Sequence, residues 1–141
     1  MVKAACHCGL VRFELAESPE WVLDCNCTLC RRYAALWYYP QTPEKLISTP
    51  PVDATDTYLW GDKELAFHRC KECGCVTHMV AVGAGRIYGV NGRMIPTLDP
   101  AKVRLVQIDN SHSGFFWTRS DAPPRQSRHP PMPPPGPDDW R

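Results

Sequence analysis

The chain has 141 residues, with Lys plus Arg totalling 16 against 15 for Asp plus Glu, a formal net charge of +1. That length suits one domain with a real core rather than two, and the balanced charge argues against nucleic acid as the main partner. No apolar stretch approaches the roughly 20 residues of a membrane span and the N-terminus lacks a signal-peptide core, so the expectation is no membrane partner and a cytoplasmic location, where thiols stay reduced.

In chain order, the first feature is the knuckle Cys6-His7-Cys8-Gly9. The segment Leu10 to Leu15 follows and alternates, with Val11, Phe13 and Leu15 on one face and Arg12 and Glu14 on the other. Val22-Leu23-Asp24 reads as a strand running into Cys25-Asn26-Cys27-Thr28-Leu29-Cys30, and Thr28 to Ala35 as about two helical turns. Leu36 to Tyr39 is aromatic and bounded by Pro40. Thr57 to Trp60 precedes the turn pair Gly61-Asp62, and Glu64 to His68 follows as its hairpin partner. Next comes the knuckle Cys70-Lys71-Glu72-Cys73-Gly74-Cys75. Strands are then expected over Val76 to Val82, Arg86 to Val90 and Val103 to Ile108, the first two split by Gly83-Ala84-Gly85. Seven or eight short strands with almost no helix make an all-β fold whose sheets meet where the knuckles converge. From Ala122 to Pro137 the chain holds 8 of its 15 prolines. The expected division is therefore a domain over residues 1–120 and an extended proline-rich tail over 121–141.

All 8 cysteines fall in the three clusters, which in a reducing compartment points to metal ligands or nucleophiles rather than disulfides. In C-x-C on extended backbone, side chains at i and i+2 point the same way, so Cys6 and Cys8 can share one ion. In C-x-x-C-G the glycine permits the positive φ that a knuckle needs, as at Cys70, Cys73 and Gly74. Those two knuckles together supply four thiolates, a closed tetrahedral zinc site of the structural kind. The triplet Cys25, Cys27 and Cys30 then has three thiolates and an open fourth position, which in zinc proteins is where chemistry occurs. The alternative is a second structural site closed by His7 or Cys75. Arg31 and Arg32 could receive a carboxylate, and Trp37 and Tyr38 could wall a pocket. His78 and His112 are lone histidines and are not counted as site residues.

The runs Ala5-Cys6-His7-Cys8-Gly9-Leu10-Val11-Arg12-Phe13, Cys25-Asn26-Cys27-Thr28-Leu29-Cys30-Arg31-Arg32 and Phe67-His68-Arg69-Cys70-Lys71-Glu72-Cys73-Gly74 resemble the glutathione-dependent formaldehyde-activating enzyme family, which also includes centromere protein V. The resemblance extends from residue 2 to about residue 117. It implies small coiled antiparallel sheets of the β-tent type around two zinc ions. The structural ion would be held by Cys6, Cys8, Cys70 and Cys73, and the catalytic ion by Cys25, Cys27 and Cys30. The implied activity joins a small thiol, glutathione, to formaldehyde, which is a carbon–sulfur lyase run in reverse.

Three thiolates make a bound zinc electron-rich, so thiol transfer suits this site better than hydrolysis. The main rival reading is a non-catalytic zinc-binding interaction module that docks through its proline-rich tail, which is also the segment through which oligomers could form. A redox or metal sensor, using disulfides among Cys25, Cys27, Cys30 and Cys75, is a further reading.

Overall fold

A computed structural model describes residues 1–40, 42–109 and 115–118, the backbone alone for 109 and 115–118. Among them are eleven strands, one short α-helix and three single 3₁₀ turns. The strands are β1 (Val2–Ala5), β2 (Arg12–Leu15), β3 (Trp21–Cys25), β4 (Trp37–Tyr38), β5 (Leu46–Ser48), β6 (Thr55–Leu59), β7 (Leu65–Cys70), β8 (Val76–Ala81), β9 (Arg86–Asn91), β10 (Arg104–Asp109) and β11 (Phe115–Thr118). Helix α1 spans Thr28–Tyr33. The proline-rich tail and His112 lie outside the described residues.

The all-β expectation is met. A three-stranded sheet has the order β1-β2-β5, and an eight-stranded sheet the order β11-β10-β3-β4-β9-β8-β7-β6. The pairings are antiparallel except that β10 lies parallel to β3, from Arg104 opposite Trp21 to Ile108 opposite Cys25. This makes the large sheet mixed. The hairpin expected across Gly61-Asp62 forms with Tyr58 opposite Phe67 and Thr57 opposite His68. Strands β1, β5 and β11 were not among the sequence expectations.

Apolar residues cover both faces of the large sheet. Phe13 and Leu15 of β2 are fully buried against Val22, Leu36, Tyr38 and Val90, forming the core between the two sheets. On the opposite face Cys25, Trp37, Phe67, Met79 and Ile108 make a second cluster. The division follows strand alternation, with Leu36 and Tyr38 pointing to one side and Trp37 to the other. Each large side chain so buried contributes about 2–3 kcal/mol. The first cluster holds the sheets together, and the second floors a cavity.

Candidate metal centres and the adjoining cavity

The two outer knuckles are built alike. In the first, the Cys6 amide donates to the Val11 carbonyl at 3.0 Å and the Gly9 amide to the Cys6 carbonyl at 3.0 Å. In the second, the Cys70 amide donates to the Cys75 carbonyl at 2.9 Å and the Gly74 amide to the Cys70 carbonyl at 2.9 Å. Gly9 and Gly74 have φ of +78° and +72°, a region that costs residues with a Cβ. Cys8 lies in the turn rather than on extended backbone, so it is the turn and not strand alternation that brings its sulfur to Cys6.

The sulfurs of Cys6, Cys8, Cys70 and Cys73 all lie within 4.8 Å of one another. Cys6 Sγ is 3.6 Å from Cys8 Sγ, which is 3.6 Å from Cys70 Sγ. Tetrahedral zinc with Zn–S bonds of about 2.3 Å needs sulfurs about 3.8 Å apart, so the donor set fits that ion. Because Cys6 follows β1 and Cys70 ends β7, an ion here would tie the small sheet to the large one. Cys75 belongs to this neighbourhood: the His7 backbone amide lowers its pKa, and burial and the adjacent Cys73 outweigh that and raise it.

The second group, Cys25, Cys27 and Cys30, has its three sulfurs within 4.8 Å of one another. Cys25 ends β3, Cys27 caps α1 and accepts the Cys30 amide at 3.3 Å, and Cys30 sits in the first turn. Cys30 Sγ also accepts the indole N–H of Trp37 at 3.3 Å. Among the described residues no fourth His, Cys, Asp or Glu joins them, so neither His7 nor Cys75 closes this site. The three thiols share their protons unevenly. Hydrogen bonds from Cys25 and then Cys30 hold Cys27 down to about 2, the proximity of Cys27 pushes Cys25 up to about 11, and Cys25 and Cys27 push Cys30 up further. Cys27 has the lowest pKa of the set, held down by two thiol donors and by the start of α1.

The triplet opens onto a cavity of about 700 Å³. Trp37, Phe67, Met79 and Ile108 form its floor beside Cys25 and Cys30, all buried. Trp21 and Tyr39 continue the wall, stacked at 6.3 Å, and Tyr39 meets Tyr88 edge-on at 5.2 Å. Trp60, Gly61, Asp62, Arg86 and Tyr88 form an exposed rim. Two sequence expectations are corrected here. Tyr38 is not part of the wall, because strand alternation turns it into the inter-sheet core; its neighbour Tyr39 takes that place. Neither Arg31 nor Arg32 lines the cavity, and Arg32 folds back to donate to the Thr28 carbonyl at 2.6 Å. Among the described residues the cation at the cavity is Arg86, at the start of β9. Sequence spacing gave no hint of it, since Arg86 is 56 positions after Cys30 and reaches the rim only through sheet order.

On the opposite face, His68 of β7 and His78 of β8 lie directly across from each other with rings stacked at 4.2 Å. They line a second cavity, of about 480 Å³. Thr55 Oγ1 holds His68 Nδ1 at 2.8 Å, and Thr77 Oγ1 holds His78 Nδ1 at 2.8 Å. His78 is 3% exposed, and burial followed by the neighbouring His68 lowers its pKa to about 3.

In comparison with known proteins, the family model described as glutathione-dependent formaldehyde-activating enzyme matches residues 1–104. The crystal structure of a Rhodobacter sphaeroides protein from a structural genomics programme is similar at 26% identity and a TM-score of 0.57, covering 73% of this chain and 98% of that one.

Proposed function

The chain belongs to the glutathione-dependent formaldehyde-activating enzyme family, and on that premise we propose that it is a carbon–sulfur lyase of the S-(hydroxymethyl)glutathione synthase type. It joins a small glutathione-like thiol to an aldehyde such as formaldehyde, or runs the reverse cleavage. Cys6, Cys8, Cys70 and Cys73 would hold a structural zinc, and Cys25, Cys27 and Cys30 would hold the catalytic one. The observation that carries this reading is a three-sulfur group without a fourth protein ligand among the described residues, facing a cavity. A purely structural knuckle would be closed on itself.

Zinc bound at the triplet would supply Lewis acidity, lowering the pKa of a thiol brought to the open position. The protein's own groups do the rest. Trp37 donates its indole N–H to Cys30 Sγ, which spreads the charge of a crowded thiolate set and fixes the rotamer of the ligand. The buried floor of Trp37, Phe67 and Met79 keeps water from competing with the thiol for the carbonyl carbon. Arg86 at the rim receives a carboxylate of the thiol, and Asp62 a cationic group. The sulfur bonds to the carbonyl carbon, the π pair moves to oxygen, and oxygen takes up the proton released by the thiol. No oxidant or reductant enters.

The test is the rate of exchange between formaldehyde hydrate and S-hydroxymethylglutathione, followed by NMR with zinc-loaded protein. The expected result is acceleration that Cys27→Ser reduces by at least about 100-fold, within the span that one ligand can control. The variant should keep its β-sheet circular dichroism and one equivalent of zinc. Equal rates with and without protein, both zinc ions being bound, would remove the enzyme reading.

A further inference from the structure

The cavity over the triplet is divided by depth. Its floor, made by Cys25, Cys30, Trp37, Phe67, Met79 and Ile108, is less than a tenth exposed at every residue. Trp60 and Tyr88 on the rim are 41% and 44% exposed, and the charged lining groups, Asp62 and Arg86, are exposed with them. Beside the sulfurs, the floor's polar side-chain group is the indole N–H of Trp37, and Cys30 Sγ already occupies it. A hydroxyl or amide pressed against this floor would lose its water without gaining a partner. A hydrocarbon group there would be favoured in proportion to the area it covers.

The reacting carbon must sit at the triplet, on the floor, so whatever that carbon carries lies against Trp37, Phe67 and Met79. Formaldehyde carries only hydrogen. Beside the thiol it would cover little of the apolar floor of this cavity of about 700 Å³. Resting on the thiol–aldehyde reading above, we propose that the aldehyde this site selects bears an apolar substituent, aromatic or of medium chain length. The substituent packs on the floor while the polar frame of the thiol extends outward past Arg86 and Asp62. The reaction is the same balanced addition: sulfur to carbonyl carbon, π pair to oxygen, thiol proton to oxygen, giving a hydroxy thioether.

Gly89 of β9 lies opposite Met79 in register, on the floor's own face of the sheet, and gives a way to narrow the floor. A Cβ at this position would stand 3.1 Å from Met79 Cε and 3.4 Å from a Tyr39 ring carbon. The added methyl would take up space beside the floor, and the end of Met79 would have to give way to it.

The experiment compares formaldehyde, glyceraldehyde, benzaldehyde and octanal with glutathione on the zinc-loaded full chain, by NMR exchange. The expected kcat/KM for benzaldehyde exceeds those for formaldehyde and glyceraldehyde by at least about tenfold, a ratio within the reach of an apolar pocket. Gly89→Ala is expected to lower the benzaldehyde value several-fold and leave the formaldehyde value within twofold. A readout independent of turnover is tryptophan fluorescence, titrated with benzaldehyde and no thiol. Saturable quenching, weakened several-fold in Gly89→Ala, is expected because Trp37 lies on the floor. Formaldehyde turned over as well as or better than benzaldehyde would overturn the proposal while leaving the thiol–aldehyde reading standing. Should no pair be accelerated, that reading and the proposal fall together.

Discussion

Single side chains set the chemistry of this protein, and Cys27 shows how. Its sulfur is one vertex of the triplet, the cap of α1 and the member whose pKa two neighbouring thiols lower. The serine variant discussed above therefore tests a ligand without removing the cap, since a hydroxyl still accepts the Cys30 amide. Arg86 has a separate part. It stands at the rim with no ion pair among the described residues, so it is free to receive a substrate carboxylate. Arg86→Ala should raise the KM for glutathione about three- to tenfold, leave kcat within twofold, and have no effect with a thiol lacking carboxylates. Initial rates at varied thiol concentration measure this. His78 leads to a pH prediction. The folded chain keeps this ring neutral to about pH 3, whereas the unfolded chain takes up the proton near the ordinary value of about 6.5. Between those limits the unfolded state binds more protons, so stability is full above about pH 6.5 and declines as pH falls toward 3. His68, lowered by burial, acts in the same direction. Thermal melts between pH 7.5 and 5 should show a shallower decline in His78→Phe than in the parent, while acid release of zinc, common to both, cancels in the difference.

The elements explain why those residues sit where they do. Both outer cysteine knuckles depend on a glycine with positive φ, and Gly74 has open space where a Cβ would go. Gly74→Ala therefore adds backbone strain and nothing else, and should cost about 1–2 kcal/mol in a urea unfolding midpoint. Helix α1 ends at Ala34 with φ of +50°, an alanine in a conformation suited to glycine. Ala34→Gly should stabilise the fold by about 1 kcal/mol in the same assay, since the αL cap loses its Cβ penalty. Much of this level was legible in advance. The alternation Val11-Phe13-Leu15, the hairpin across Gly61-Asp62 and the helix starting at the metal knuckle all formed as their patterns required. Strand β5 was not legible because Leu46–Ser48 is too short to show a period. The placing of Trp37 and Tyr38 on one wall failed for a simple reason: neighbours on a strand face opposite ways, and a run of aromatics conceals which face is which.

For the whole molecule, the decisive arrangement is a large sheet with two apolar faces. One is covered by the small sheet, and the other floors the cavity beneath the triplet. The four-sulfur group bridges the sheets between Cys6 and Cys73, closing a loop 67 residues long, and structural zinc ions contribute folding free energy directly. Chelation of that ion should abolish the cooperative melt followed by circular dichroism, and Cys8→Ser should do so without a chelator, whereas Cys27→Ser keeps it. The sequence by itself marked out the candidate ligands, because metal coordination needs particular atoms at short spacings and all eight cysteines stand in clusters where such spacings are visible. It also determined the β class, since period-two alternation is a local property. The walls of the cavity were decided only by tertiary structure. Trp21, Trp37, Phe67 and Arg86 come from four strands spread along the chain. What brings them together is the strand order of the large sheet, and strand order is fixed by long-range pairing that no local pattern encodes.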